Sequence, residues 1–305
     1  MNQNIKAVFF SFLSFTCFSI MDIISRYILY NNLMDFSLYF FYIKTLTIIL
    51  FIVFGFLIAK RDFFIIKNKK VVFIRAILIS INAFCVTLAL KYLPLDIFYA
   101  LVFLMPLLAT ILSVPLLKEK LKFINIIGVL IGFTGIIIAL NPAYQHYSII
   151  GIMLCFVVIL TGSLAGIIAR KYLVNENPFS TTFYAFLMAE LIAIFGLLTN
   201  IKSGNVSLSL PSVHLSIIIL IGAIVTLNAS SLYMKAYQYG RSMYVAPIQY
   251  IQIIYGSFFG YWLFGDKISN NTLAGIMIII LGTILNNNAI MKNYYFKNKG
   301  ANNVF

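Results

Sequence analysis

The chain has 305 residues, of which 62% are hydrophobic and only 10% are charged, whereas soluble domains have about 45–50% apolar and about 25% charged residues. A soluble globule of this composition would expose large apolar patches to water, so a soluble enzyme, a nucleic-acid-binding module and a disordered chain are excluded. The formal net charge of +14 is typical of a membrane protein with basic loops on one side.

Apolar runs bounded by charged residues, Asn, Gly or Pro predict ten membrane-spanning helices. The runs are continuously apolar and do not alternate, which favours helices over barrel strands. The predicted helices cover residues 5–29, 37–59, 72–91, 95–117, 123–140, 149–170, 180–200, 213–235, 244–264 and 271–289. The predicted fold is an all-α membrane protein of ten helices with a short basic tail at 290–305.

The distribution of basic residues predicts the orientation of these helices. With the N-terminus inside, 17 of the 22 Lys and Arg residues lie at cytoplasmic helix ends or loops, four lie at the outer side, and Lys44 lies within a span. Positive charge is enriched on the cytoplasmic side of membrane proteins. Both termini are therefore predicted to be cytoplasmic.

An internal repeat divides the chain into two halves, residues 5–140 and 149–289. A shift of 147 positions aligns three pairs of like residues, namely Gly128 with Gly275, Gly135 with Gly282 and Glu119 with Asp266. Each half holds five predicted helices, and because five is odd the second half is inverted relative to the first. Inverted repeats are typical of secondary transporters, whose substrate site lies near the membrane midplane between the halves.

Two segments resemble the end of the EamA repeat, the unit of the drug/metabolite transporter superfamily. The first comprises residues 106–122 and the Gly-punctuated run at 127–135, and the second comprises residues 261–266 and 273–282, with Asp266 where Glu is usual. The resemblance extends over nearly the whole chain and implies a ten-helix carrier. It leaves the substrate open, because the superfamily carries amino acids, nucleotide sugars, drugs and other metabolites.

Ionisable side chains within the predicted spans are the first candidates for binding a substrate or a proton, because burying charge in a membrane is costly. Asp22 and Arg26 lie four residues apart on one face of the first helix, so we expect them to pair. The alternative is a structural pair in which Arg26 extends to the outer surface. Lys44 and Glu190 occupy about equivalent positions in the two repeats and are expected to face each other across a cavity, either as binding groups or as a structural bridge.

Polar residues near mid-depth form a second group of candidates: Asn82, Asn228, Gln249, Gln252 and Tyr255. Pro106 and Pro247 are expected to kink their helices towards a cavity. Interhelical hydrogen bonding is an equally good interpretation of this group. The fifth and tenth helices lack charge at mid-span and carry Gly at helix-contact spacing, so we expect them to pack at the periphery.

These features predict a secondary transporter of a small polar metabolite. No ATPase motif is visible, so energy is expected from a gradient or exchange, with protons or a counter-substrate as the coupling partner. No enzyme activity, cofactor, metal or nucleic-acid partner is predicted; the expected partners are a small-molecule substrate and the lipid bilayer, and the protein is expected to be a monomer or homodimer. An exporter of amino acids or drugs is an alternative, and a channel or membrane receptor is a more distant one.

The content of Ile, Asn, Lys, Phe and Tyr is typical of an AT-rich genome, and such genomes are common in host-dependent bacteria. The resemblance implies, in such bacteria, an inner-membrane importer of a host metabolite such as S-adenosylmethionine. Asp22 or Glu190, with aromatic neighbours, could hold the cationic groups of that ligand.

Overall fold

The structure is a computed structural model that describes residues 3–55, 65–117, 123–140, 147–173, 175–204, 206, 210–239, 248–249, 251–266, 269–282 and 284–285. All regular secondary structure in these ranges is helical. The helices are α1 (Gln3–Tyr30), α2 (Phe36–Phe54), α3 (Lys69–Tyr92), α4 (Leu95–Val102), α5 (Met105–Leu117), α6 (Phe123–Leu140), α7 (Ile149–Tyr172), α8 (Pro178–Lys202), α9 (Val213–Tyr239), α10 (Ile251–Phe264) and α11 (Asn270–Gly282).

Seven apolar segments among the described residues are long enough to cross a membrane, if α4 and α5 are taken together as one. The other apolar helices, in α6, α10 and α11, are shorter. A membrane span needs roughly 20 predominantly apolar residues. The structure therefore confirms an all-helical fold with several membrane-spanning segments.

Polar residues between the apolar runs set the starts of helices. The Asp35 carboxylate accepts a hydrogen bond from the Ser37 amide at 2.8 Å in front of α2. The Asn177 side chain accepts one from the Phe179 amide at 3.0 Å in front of α8. Such side-chain caps satisfy amides that have no partner within the helix, which is why α2 and α8 begin where the sequence changes from polar to apolar.

The predicted helix 95–117 is wrong as a single helix, because the structure divides it into α4 and α5 at Phe103 and Leu104. Pro106 lies in the first turn of α5 and has no N–H with which to continue the hydrogen bonding of α4. A Pro is tolerated in a first helical turn, where the amide would have no partner in its own helix.

Helix α4 lies in the interior, and all eight of its residues are buried. The largest cluster of buried apolar side chains surrounds it, with contributions from α3, α7, α10 and α11. A short helix enclosed in this way is held by neighbours on every side and can carry polar side chains to fixed positions.

Helices α6 and α11 approach each other backbone to backbone. A Cβ atom added to Gly135 would lie 2.8 Å from the carbonyl oxygen of Gly275, and one added to Gly282 would lie 2.6 Å from that of Gly128. Helices come this close in membranes only where small residues line the contact. These are the four glycines that the internal repeat aligns.

Candidate functional site

Asp22 of α1 lies in the protein interior, with 5% of its surface exposed. Its Oδ2 atom accepts a hydrogen bond from the hydroxyl of Tyr99 on α4, with an O···O distance of 3.0 Å. A carboxylate has room for several donors, and one hydroxyl does not neutralise its charge. Asp22 is therefore placed to accept a proton or a cationic group.

Lys44 of α2 is 2% exposed and is held between aromatic rings. Its Nζ atom lies 4.9 Å from the ring centroid of Phe40 and 5.4 Å from that of Phe186, distances at which a cation is attracted to the ring face. Its charge interacts with those of Glu190 and Asp22. Among the described residues, neither carboxylate is in direct ion-pair contact with Lys44, so the three groups form a charged cluster without a direct ion pair.

Glu190 of α8 is only partly satisfied by hydrogen bonds. Its Oε1 atom accepts one from the Thr45 hydroxyl at 2.7 Å, which links α8 to α2. No described residue donates a hydrogen bond to its buried Oε2 atom. An unsatisfied buried acceptor costs about 1–3 kcal/mol, and within a membrane such a group is a candidate for ligand binding.

Arg26 does not pair with Asp22, in contrast to the expectation from their spacing. One of its terminal nitrogens donates to the Leu93 carbonyl at 2.7 Å, and the other donates to Oδ1 of Asp266 at 3.0 Å and lies 2.9 Å from Oδ2. The guanidinium also lies 4.6 Å from the ring centroid of Phe264. The long side chain of Arg26 reaches the Leu93 carbonyl at the end of α3 and the Asp266 carboxylate beyond the end of α10. Both of these acceptors need donors.

The turn that ends α10 places the Asp266 carboxylate in contact with Arg26. Gly265 has φ +68°, and the amides of Gly265 and Asp266 donate to the carbonyls of Tyr261 and Gly260, each at 3.1 Å. The bond from Gly265 to Tyr261, with a left-handed Gly just after the helix, is the αL C-cap motif. Burial raises the pKa of the Asp266 carboxyl, and the neighbouring Arg26 guanidinium opposes the rise.

The two candidate asparagines lie away from the charged cluster. The Asn82 amide donates to the Val158 carbonyl at 2.8 Å and to the Thr161 hydroxyl at 3.1 Å, which links α3 to α7. Asn228 is exposed on α9 and donates at 2.8 Å to the Ile224 carbonyl of its own helix. Both amides are satisfied by local contacts, the arrangement of structural polar residues in membrane helices.

The remaining candidates lie at or near α10. Gln249 lies in a short turn before the helix, and Gln252 is buried within it. The Tyr255 hydroxyl lies 3.3 Å from that of Thr16, which links α10 to α1. Pro247 falls outside the described residues, so its predicted kink stays a prediction.

Sequence reasoning missed Tyr99 and Asp96 as functional candidates. Tyr99 and Asp96 lie three residues apart in α4 and are buried; an acid within a run of apolar residues was the available signal. Arg75 is one of the basic residues that the sequence places at the cytoplasmic ends of helices, where an anionic substrate group is its alternative partner; in the structure it is buried in α3, and its charge interacts with Tyr233 of α9. Residue type and spacing do not reveal burial of this kind, because neighbouring helices produce it.

Comparison with known proteins supplies an independent line of information. The EamA-like transporter family matches residues 5–141 and again 149–288. An S-adenosylmethionine uptake transporter of Rickettsia conorii is 23% identical over 274 residues, which is 89% of each chain. That of Rickettsia bellii is 25% identical over 212 residues, 69% of this chain and 70% of the relative. An uncharacterized transporter of Helicobacter pylori is 29% identical over 185 residues, 59% and 60% of the two chains.

A crystal structure resembles the fold with a TM-score of 0.63 at 14% identity, over 90% of this chain and 95% of the other. Identity this low supports a shared fold and nothing about function. The apolar helices and the bacterial relatives identify a multi-pass integral protein of the inner membrane. Because the family matches cover nearly all of the sequence, this chain belongs to the EamA-like transporter family.

Proposed function

We propose that this protein is a secondary transporter that takes up a small cationic metabolite, with S-adenosylmethionine as the specific candidate. The charge of the central cluster, formed by Asp22, Glu190 and Lys44, carries the proposal, because the charges of both acids interact with that of a single base. When all three are ionised, the cluster has one more negative than positive charge. S-adenosylmethionine has an ammonium, a sulfonium and one carboxylate, so its charges complement those of the cluster.

The roles of the three residues follow from their surroundings. Asp22 and Glu190 would bind the two cationic groups, and Lys44 would bind the carboxylate. The rings of Phe40 and Phe186 would stabilise a sulfonium as they now stabilise the Lys44 ammonium. The relatives named for S-adenosylmethionine uptake support the substrate class. Transport would be driven by a gradient or by exchange, without a cofactor or catalytic step.

The proposal includes ten spans arranged as two inverted repeats, residues 5–140 and 149–289, with both termini in the cytoplasm. The alignment at a shift of 147 pairs Gly135 with Gly282 and Gly275 with Gly128. The contact between Gly135 and Gly275 in the structure therefore has its counterpart in the contact between Gly282 and Gly128. In the same alignment α1 corresponds to α7, and α9 corresponds to α3. The packing of α1 on α9 therefore has its counterpart in the packing of α7 on α3, and both contacts are extensive. Recurrence of contacts under exchange is expected of an inverted repeat.

Uptake into proteoliposomes tests the substrate. Labelled S-adenosylmethionine is expected to enter with saturable kinetics. S-adenosylhomocysteine, which lacks the sulfonium charge, is expected to compete at least about tenfold more weakly, equivalent to about 1.4 kcal/mol. Equal competition would remove the charge argument, and flux that does not saturate would favour a channel. Efflux of amino acids or drugs without S-adenosylmethionine uptake would favour the exporter alternative.

The variant Asp22→Asn tests the binding of the cationic group. Asn keeps the size of the side chain and the acceptor for the Tyr99 hydroxyl but removes the charge, so the KM for S-adenosylmethionine should rise about tenfold or the pH profile of uptake should change. Tyr99→Phe removes the hydrogen bond but retains the carboxylate, so it should weaken uptake less than Asp22→Asn does. If uptake by Asp22→Asn keeps both its KM and its pH profile, Asp22 has no part in the mechanism.

A further inference from the structure

A second charged cluster, formed by Arg26, Asp96 and Asp266, lies at the predicted outer ends of α1, α4 and α10. Arg26 contacts Asp266 directly, and its charge also interacts with that of Asp96. Asp96 is 6% exposed. Within the described part of the chain, nothing accepts a hydrogen bond from the buried Nε of Arg26, and nothing donates one to the buried Oδ1 of Asp96.

These two unpartnered atoms complement each other, because one is a donor and the other is an acceptor. Asp96 lies in the first turn of α4, where backbone amides favour an acid. Its Oδ1 atom nevertheless has no donor among the described residues. A buried polar atom without a partner requires an explanation, and a guanidinium that changes position would provide one.

The three residues belong to different halves of the chain. Arg26 and Asp96 lie in residues 5–140, and Asp266 lies in residues 149–289. Arg26 also donates to the Leu93 carbonyl, three residues before Asp96, so a movement of the α10 end away from α1 breaks the Arg26–Asp266 pair and leaves Arg26 next to the start of α4. Removing one partner of a buried ion pair costs about 3–5 kcal/mol, so without a second acceptor the open state would be rarely populated.

We propose that Asp96 is a positioning residue for transport that accepts Arg26 when the Arg26–Asp266 pair separates, and thereby allows the outer entrance to open. The inference rests on the proposed function, since it requires a carrier whose outer entrance opens and closes. It extends that function by assigning roles to Asp96 and Asp266, which lie outside the central cluster. Asp266 stabilises the closed entrance and Asp96 stabilises the open one.

Cysteine accessibility measures the two states directly. An Ile23→Cys reporter, three residues before Arg26 on the same face of α1 and packed in the cluster around α4, is placed in a background in which Cys17, Cys85 and Cys155 are replaced. A membrane-impermeant maleimide is then added from the outside to right-side-out vesicles. The labelling rate reports the population that is open at the outer end and needs no substrate.

Opposite effects are expected from the two acids. Asp266→Asn should raise the labelling rate several-fold, because the closed state loses its ion pair. Asp96→Asn should lower the rate several-fold and should abolish the gain in the double variant. Asp96→Glu, which keeps the carboxylate, should retain most of the gain. If Asp96→Asn fails to reach the membrane, Asp96→Ser makes the same test, because Ser also caps a helix.

The matched control is Asp35→Asn, since Asp35 accepts hydrogen bonds at the start of α2. A purely capping role for Asp96 predicts that the Asp96 and Asp35 variants change thermal stability alike and leave labelling unchanged, and this result would overturn the proposal. If labelling follows the expected pattern but S-adenosylmethionine is not taken up, the change of the Arg26 partner from Asp266 to Asp96 is supported and the substrate proposal is rejected. If saturable uptake is present and the labelling rate is the same in the Asp96 variants as in the wild type, only the change of the Arg26 partner is rejected.

Discussion

At the scale of single residues, the two most deeply buried cations are stabilised in different ways. Arg26 has an ion pair, a backbone carbonyl and an aromatic ring as neighbours. Lys44 lies between two aromatic rings and makes no direct ion pair among the described residues, although its charge interacts with those of Glu190 and Asp22. Buried ion pairs add little net stability, so these charges are better explained by function. Lys44, which has no direct carboxylate contact among the described residues, is the better placed of the two to bind a ligand.

The first prediction concerns Glu190. Glu190→Gln keeps the side-chain size and an acceptor for the Thr45 hydroxyl but removes the negative charge. We expect uptake to fall at least about tenfold, while the melting temperature of the purified protein stays near that of the wild type, because the only described hydrogen bond of Glu190 is kept.

Asn228→Ala is the control for this variant. Asn228 is an exposed polar residue of α9 that bonds only to its own helix among the described residues, so its replacement should leave uptake unchanged. Unchanged uptake by Glu190→Gln would reduce Glu190 to a structural residue.

At the scale of elements, helix ends and helix contacts depend on glycine for two separate reasons. Gly265 supplies a positive φ, and Gly135 supplies space against a neighbouring backbone. A Cβ atom is disfavoured by backbone strain at Gly265 and by a steric clash at Gly135. The same substitution by Ala therefore has different causes and different consequences at the two positions.

The second prediction compares Gly265→Ala with Gly204→Ala. Both glycines follow a helix at positive φ, +68° and +74°, and no described atom lies within 4 Å of an added Cβ at either. Each variant should lose about 1–2 kcal/mol of stability through backbone strain. Uptake should fall only in Gly265→Ala, because only this turn positions Asp266.

Thermal unfolding and uptake assays on both variants separate the two effects. An equal loss of uptake in both would mean that strain alone, and not the position of Asp266, is responsible.

The third prediction compares Gly135→Ala with Gly196→Ala. The first places a Cβ atom against the Gly275 carbonyl of α11 and should cost about 1–3 kcal/mol, because the helices must move apart. The second meets no described atom within 4 Å and should stabilise α8 by up to about 1 kcal/mol through helix propensity. Melting temperatures in detergent provide the comparison. A gain in stability for Gly135→Ala would contradict the α6–α11 contact.

At the scale of the whole molecule, the basic residues and the helix count predict one orientation. A reporter fused to the C-terminus should behave as cytoplasmic, and one inserted at residue 146 should behave as periplasmic, because 17 of 22 basic residues then lie inside. Alkaline phosphatase and green fluorescent protein fusions give opposite signals on the two sides. A C-terminus found outside would contradict the ten-helix count and the inverted repeat together.

The helical membrane fold could be predicted from the sequence because apolar runs of this length have few alternatives in a bilayer. The membership of a transporter family could be predicted as well, because two segments of the sequence resemble the end of the EamA repeat. The division of α4 from α5 was missed, although Pro106 was identified, because only the surrounding core determines whether a Pro kinks a helix or separates two. The Asn82 and Asn228 side chains could not be assigned because mid-depth alone does not reveal which neighbour satisfies an amide.

The sequence by itself determined that this protein lies in a lipid bilayer and is helical, since both follow from hydrophobicity, and its resemblance to the EamA repeat indicated the family. Only the tertiary structure decided which buried charges meet. Asp22 and Arg26 are neighbours on one helix, yet Asp22 bonds to Tyr99 and Arg26 bonds to Asp266 of the other half. The physical reason is that a helix determines which residues share a face, while the packing of other helices supplies the donors and acceptors that each side chain reaches.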